Sequence, residues 1–117
     1  MTYPGIDTEL TDELYETLGD GFIELIDIFL VDTPQQIATM ENCINANDPD
    51  GVRSAAHILS GSCSNFGAHK LNECCHSLRT ACKEGQSSDL LKGVLDQIKT
   101  EYDQVAESLK SLAASLG

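Results

Sequence analysis

Apolar residues recur at intervals of three and four along most of this 117-residue chain, and that spacing constrains its fold more than any other feature. Such spacing gathers apolar side chains on one side of an α-helix, where they can pack against other helices. The longest run consists of Leu90, Leu91, Val94, Leu95, Ile98, Tyr102, Val105, Leu109 and Leu112. No signal for a β-strand is strong enough to compete with the helical pattern.

Capping residues divide the chain into helices. Thr11 predicts the start of a short helix that ends at Gly19, and Asp48 followed by Pro49 predicts the start of another. Pro34 either kinks the long helix that contains it or separates two helices. The predicted helices cover residues 11–18, 22–46, 49–65, 68–84 and 88–112.

The predicted fold is all-α: an antiparallel up-down four-helix bundle with an additional short N-terminal helix. A chain of 117 residues is the size of one domain with a single core. We assign residues 10–117 to the bundle and residues 1–9 to a flexible N-terminal segment. We also expect the tail of small residues after Leu112 to be loose.

The chain is strongly acidic, with 19 Asp and Glu against 7 Lys and Arg and a net charge of -12. This charge argues against nucleic acid and against an anionic membrane surface as partners. The five cysteines are an odd number, and neither a signal peptide nor an apolar run of about 20 residues is visible. The sequence therefore predicts a cytoplasmic protein with reduced cysteines and no membrane insertion.

Four cysteines fall on the apolar sides of their helices, and we interpret them as small hydrophobic residues of the core. They are Cys63, Cys74, Cys75 and Cys82. A metal site is the alternative, because Cys74, Cys75 and His76 are adjacent. Three consecutive helical residues point in different directions and cannot complete one tetrahedral site, so no bound metal is expected. The motifs of common enzyme classes, such as phosphate-binding glycine loops, are also missing.

The helix predicted over residues 49–65 presents one histidine away from its apolar side. His57, Gly61 and Ser64 fall together on a helical wheel, opposite the apolar residues of that helix. A glycine inside a helix lowers the stability of that helix by about 1 kcal/mol relative to alanine. We therefore expect a specific reason for glycine at position 61. The simplest reason is clearance, since a missing side chain lets another backbone or a phosphoryl group approach the imidazole.

The segment from Arg53 to Lys83 is positive although the whole chain is acidic. It contains four cations and one acid, which leaves a charge of -15 for the rest of the chain. A locally positive surface around His57 suits a site that handles phosphate or docks on an acidic pocket. Chance segregation of solvated charges is the alternative.

The residues around His57 resemble a known family. The run Ala56-His57-Ile58-Leu59-Ser60-Gly61-Ser62, followed by Phe66-Gly67-Ala68, Leu71, Cys75, Leu78 and Gly85, resembles the histidine-containing phosphotransfer (HPt) domains of bacterial, fungal and plant phosphorelays. Residues 22–30, followed by a step that contains proline, look like their second helix. The resemblance spans residues 10–112. It implies a four-helix bundle in which His57 accepts a phosphoryl group from a receiver-domain aspartyl phosphate and passes it to another receiver domain.

The resemblance also implies partners. They are response-regulator receiver domains, with a hybrid sensor kinase as a further candidate; Mg²⁺ is expected on the receiver and no cofactor on this chain. The chain would form a phosphohistidine intermediate without kinase activity of its own. An exposed neutral imidazole suits this role because it is nucleophilic without an activating base. His69 and His76 also lie on outward faces, and we interpret them as ordinary surface histidines.

Two positions depart from the family pattern. Ser60 stands where the family usually has lysine, and Arg79 stands where an acid is common. We expect a nearby cation, with Arg79 favoured, to replace the missing charge. The residues predicted to support the phosphoryl group or the partner are Gly61, Ser60, Ser64, Arg53, Arg79 and Lys83. The missing lysine keeps a second hypothesis open: a non-catalytic docking module that binds a receiver domain or a regulated enzyme.

Overall fold

The computed structural model describes residues 3–116, which form five α-helices. They are α1 (Thr8–Leu18), α2 (Asp20–Asn45), α3 (Pro49–Cys63), α4 (His69–Lys83) and α5 (Ser88–Leu116). Helices α2 to α5 pack in a ring, and α1 packs against α2. Because short turns join helices that pack together, successive helices of the ring run in opposite directions. The predicted all-α four-helix bundle with a short additional N-terminal helix is confirmed.

Helix α2 continues through Pro34, so the long apolar segment is one helix rather than two. Proline lacks the backbone N–H that would bond to the carbonyl of Leu30, one turn earlier. The hydroxyl of Tyr102 in α5 donates to that carbonyl oxygen at 3.4 Å. A side chain from the neighbouring helix therefore uses the acceptor that Pro34 leaves open.

Aromatic contacts around Phe66, in the turn after α3, hold the middle of the core together. Its ring centroid lies 5.1 Å from that of Phe29 and 6.0 Å from that of Phe22, both in α2. Phe29 in turn lies 5.8 Å from Tyr102 of α5, measured between ring centroids. These contacts pack the turn after α3 against α2, and Phe29 connects this aromatic cluster to α5.

Three of the four cysteines predicted for the core are buried, and Cys74 is half-buried. Cys75 of α4 is in side-chain hydrogen-bond contact with Cys63 of α3, across the interface between these helices. This contact and the burial of the thiol raise the pKa of Cys75 far above its ordinary value. Cys75 therefore stays protonated and packs as a small core residue.

The start of α1 differs from the sequence prediction. Asp7 is its N-cap, because the Asp7 carboxylate accepts from the backbone N–H groups of Glu9 and Leu10 at 3.1 and 3.3 Å. Thr11 is buried one turn inside the helix, and its hydroxyl donates to the carbonyl of Thr8. The prediction of Thr11 as the cap is wrong, because two capping residues precede the same apolar run and the first one starts the helix. The predicted boundary at residue 10 consequently falls inside α1.

Residues 3–7 lie against the rest of the bundle. The hydroxyl of Ser108 donates to the carbonyl oxygen of Pro4 at 2.6 Å, and the N–H of Asp7 donates to the carbonyl oxygen of Phe66 at 3.0 Å. Residues 1, 2 and 117 lie outside the described part of the chain, and the flexibility of the segment 1–9 stays a prediction. At the other end, the tail expected to be loose after Leu112 is helical as far as Leu116.

Candidate functional site

His57 lies on the outward side of α3. The helix begins after Asp48, whose carboxylate accepts from the N–H of Gly51 at 3.1 Å, and Pro49 occupies its first turn. Its inward side is formed by Val52, Ala55, Ala56, Leu59 and Cys63, which are all buried. His57 is exposed, and its imidazole has no hydrogen-bond or ion-pair partner among residues 3–116. The imidazole points to solvent, as the helical wheel predicted.

Gly61 lies one turn after His57, in open space. A β-carbon built on it meets no neighbouring atom within 4 Å. Packing among the described residues therefore does not require glycine at this position. Ser64 is exposed further along α3, and its hydroxyl donates to the carbonyl oxygen of Ser60 at 3.4 Å.

Ser60 faces α4. Its half-buried hydroxyl donates to the side-chain oxygen of Asn72, so that Ser60 links α3 to α4 close to His57. Our sequence reasoning missed Asn72. The available signal was its spacing from His76 and Arg79, which puts these three residues on one side of α4.

The three predicted cations have different surroundings. Arg53 pairs with Asp50 at 3.4 Å, and because the two side chains are 47% and 89% exposed, this pair adds little stability. Lys83 is exposed in the last turn of α4. Arg79 is half-buried and has no ion-pair partner in residues 3–116. Arg79 lies on the same side of α4 as Asn72, whose side chain contacts Ser60 of α3. The unpaired positive charge of Arg79 therefore lies on the side of α4 that faces α3.

The charges of the chain are separated between its parts. Residues 1–52 contain no Lys or Arg, whereas residues 53–83 contain four. The second segment includes α3 from Arg53 onward and the whole of α4. The segment from Arg53 to Lys83 therefore has a net positive charge, whereas α5 contains three lysines that its acidic residues outnumber.

Large apolar side chains are exposed beside His57 and on α2. Ile58, the next residue after His57, is 53% exposed, and Ile28 and Val31 of α2 are 54% and 61% exposed. The other apolar residues at the start of α2 do not add to this exposed surface, because Phe22, Ile26 and Phe29 are buried and Ile23 is half-buried. Ile58 offers a partner an apolar contact next to the imidazole.

The adjacent residues Cys74, Cys75 and His76 diverge, because Cys75 is buried and His76 is exposed. Within residues 3–116, no group of three or more His, Cys, Asp or Glu side chains could hold a metal ion. In the same part of the chain, every helix is too short or too polar to cross a membrane.

Comparison of the sequence with known proteins gives two matches. The model of the Hpt domain matches residues 24–108. A curated relative, pseudo histidine-containing phosphotransfer protein 1 of Oryza sativa subsp. japonica, is 23% identical over 103 residues, and the match covers 86% of this chain and 54% of that protein. The chain thus spans about half the length of this curated relative.

Two solved structures share the fold. Histidine-containing phosphotransfer protein B from Pseudomonas aeruginosa PAO1 is similar with a TM-score of 0.88 and 23% identity, over 97% of this chain and 98% of that one. A histidine-containing phosphotransfer protein from maize is similar with a TM-score of 0.83 and 22% identity, over 99% and 88% of the two chains. At such low identity, these likenesses show a common fold.

Proposed function

The chain belongs to the Hpt domain family, and from that premise we propose that it is a phosphorelay intermediate that carries the phosphoryl group on His57. Its role in a phosphorelay follows from the family, whose model covers residues 24–108. The finer proposal is that His57 accepts the group from an aspartyl phosphate on one receiver domain and passes it to another. The observation that supports it is an exposed imidazole without a hydrogen-bond or ion-pair partner in residues 3–116, one turn before the open position at Gly61.

The proposed reaction requires few chemical groups on this chain. The unprotonated nitrogen of the His57 ring attacks phosphorus, and an N–P bond forms while the bond between phosphorus and the aspartyl oxygen breaks. The aspartate leaves as a carboxylate, and the ring keeps the proton on its other nitrogen or releases it to water. The same exchange in reverse transfers the group to a second receiver. Because the transition state is loose, alignment and charge compensation are the main requirements.

The receiver is proposed to supply the aspartate and its Mg²⁺. On this chain, Arg79 is the candidate for charge compensation, because its guanidinium has no acidic partner in the described residues and can hold two phosphoryl oxygens at once. Ile58 is proposed to contact the receiver beside the imidazole, since it is 53% exposed.

A second candidate function is a docking module that binds a receiver without accepting phosphate. Ser60 favours it, because it stands where the family usually has lysine and its hydroxyl is bonded to Asn72. The relative from rice bears the name of a pseudo phosphotransfer protein, which agrees with this candidate. We rank it second because His57 itself is present and exposed.

The two candidates differ in one measurable product. The chain is mixed with a receiver domain phosphorylated on its aspartate in the presence of Mg²⁺, and the label on the chain is followed. Phosphotransfer predicts a label that acid removes and alkali does not. A complex that forms without any such label would show that the chain is a docking module.

A further inference from the structure

Arg53 of α3 and Lys83 of α4 lie at similar levels on two antiparallel neighbouring helices. The contact between Cys63 and Cys75 joins these helices. Because an α-helix rises about 1.5 Å per residue, Arg53 lies about 15 Å from Cys63 along α3. In the same direction, Lys83 lies about 12 Å from Cys75 along α4. Measured from this contact, the levels of the two cations differ by about 3 Å.

Both cations also lie on the sides of their helices that face each other. Ser60 and Asn72 mark these sides, because the Ser60 hydroxyl donates to the Asn72 side chain. Arg53 precedes Ser60 by close to two full turns, and Lys83 follows Asn72 by close to three full turns. Measured from this second contact, the levels differ by about 6 Å in the opposite sense. The two contacts together therefore place Arg53 beside the last turn of α4.

The thiol of Cys82, the residue before Lys83, responds to the charge of Arg53. Burial raises the pKa of this thiol, and the nearby guanidinium of Arg53 opposes that rise. The guanidinium therefore lies close to the last turn of α4, where Lys83 is exposed. We call Arg53 and Lys83 the basic pair.

Little negative charge on this chain compensates the basic pair. Within residues 3–116, its one ion pair joins Arg53 to Asp50, whose side chain is 89% exposed. Such an exposed ion pair is weak. Two like charges beside one groove repel each other, and an anion that binds between them is attracted by both. The groove at the basic pair therefore favours a negatively charged group.

A partner that reaches His57 can also reach the basic pair. His57 follows Arg53 by one turn of α3, whereas Gly61 and Ser64, further along the same outer face, are uncharged. The chain outside residues 53–83 has a net charge of -15. Most of the molecule therefore repels an acidic surface, and the start of the outer face of α3 attracts it.

We propose that the basic pair binds a carboxylate on the surface of the receiver domain and so places one end of the receiver over the last turn of α4. This inference rests on the proposed function, in which a receiver is the partner. It separates two roles among the cations, because Arg79 compensates the phosphoryl group and the basic pair binds the partner.

The test compares the double variant Arg53→Glu/Lys83→Glu with wild type in the Kd for a receiver domain that binds the wild-type chain. Lys92→Glu/Lys110→Glu is the matched control, because both lysines are exposed on α5 and the net charge changes equally. At low salt, Arg53→Glu/Lys83→Glu should raise the Kd about tenfold or more, and the control less than about threefold. Added salt should shrink the difference.

Transfer at saturating receiver separates docking from chemistry. The rate for Arg53→Glu/Lys83→Glu should then stay within about twofold of wild type, because only binding is lost. The milder variant Arg53→Gln/Lys83→Gln should raise the Kd about three- to fivefold without reversing any charge. An unchanged Kd with slower transfer at saturation would overturn the inference, because the basic pair would then act on the phosphoryl group.

Charge reversal on the receiver tests for the carboxylate itself. Exposed acids around its phosphorylated aspartate are changed to lysine one at a time, and one of these variants should bind Arg53→Glu/Lys83→Glu more tightly than it binds wild type. Equal changes in Kd for the variant and its control, or a complete set of receiver variants without restored binding, would overturn the inference. Absence of label from a wild-type chain that binds the receiver would instead overturn the proposed transfer, since the Kd comparison does not depend on label.

Discussion

Helices α3 and α5 each contain a glycine with open space around it, yet only α3 combines that glycine with a nucleophile. A β-carbon on either Gly61 or Gly93 meets no neighbouring atom within 4 Å. Gly61 follows the exposed His57 and Ile58 by one turn or less. Helix α5 contains no histidine, and the residue before Gly93 is the exposed Lys92.

An open glycine alone therefore does not identify a functional site. Both glycines weaken their helices by a similar amount, because neither is required by packing within the bundle. What distinguishes α3 is the combination of an exposed imidazole, an open approach and nearby positive charge. Changes on α3 should therefore alter transfer, whereas matching changes on α5 should alter stability alone.

The largest difference is expected between Gly61→Gln and Gly93→Gln. A glutamine at position 61 blocks the approach of the receiver to His57, and misplacement by even about 1 Å slows a transfer reaction strongly, so we expect a loss of about tenfold or more. Gly93→Gln should transfer at the wild-type rate. The measurement is the initial rate of label transfer from a phosphorylated receiver. Normal transfer by Gly61→Gln would show that clearance is not the reason for this glycine.

A smaller difference is expected between Arg79→Ala and Lys92→Ala. Loss of the Arg79 guanidinium should slow transfer or shorten the lifetime of the phosphorylated chain by about three- to fivefold, and added salt should shrink the effect. Lys92 is exposed on α5 and serves as the control for loss of one positive charge. If Arg79→Ala behaves like Lys92→Ala, and if Lys83→Ala and Arg53→Ala also leave the transfer rate and the lifetime unchanged, charge compensation comes from the partner.

In stability, the two helices should respond alike. Gly61→Ala and Gly93→Ala should each raise the free energy of unfolding by about 0.5–1 kcal/mol, since alanine is the better helix former and nothing obstructs its β-carbon. Denaturant unfolding measures this change. A loss of stability in Gly61→Ala alone would mean that the bundle itself needs this glycine.

An effect of similar size is expected on the inward side of α5. Tyr102→Phe removes the hydroxyl that donates to the Leu30 carbonyl at 3.4 Å, and it should cost about 0.5–1 kcal/mol of unfolding free energy. Transfer should remain unchanged, because this contact lies between α2 and α5. Slower transfer by a stably folded Tyr102→Phe variant would show that α5 also contributes to transfer.

Features that depend on one helix could be predicted from the sequence. The outward direction of His57 follows from spacing along α3 alone, and the buried residues of α5 follow from its apolar stripe. The choice between Asp7 and Thr11 as the first cap could not be made, because both residue types accept the same backbone hydrogen bonds.

Contacts between helices could not be predicted. The hydrogen bond from Ser60 to Asn72 depends on the register of α3 against α4, and the bond from Tyr102 to Leu30 joins residues 72 positions apart. No local periodicity contains this information. The surroundings of His76 and Arg79 required the structure for the same reason.

We propose that the outer face of α3 serves phosphoryl transfer while its inner face stabilises the fold, and the variant His57→Gln separates these two roles. The measurement pairs the label accepted from a phosphorylated receiver at pH 8 with the melting temperature of the same variant. We expect no label on His57→Gln and a melting temperature close to that of wild type, with the label kept by His69→Gln and His76→Gln. A full label on His57→Gln, or its loss in one of the other two variants instead, would contradict it.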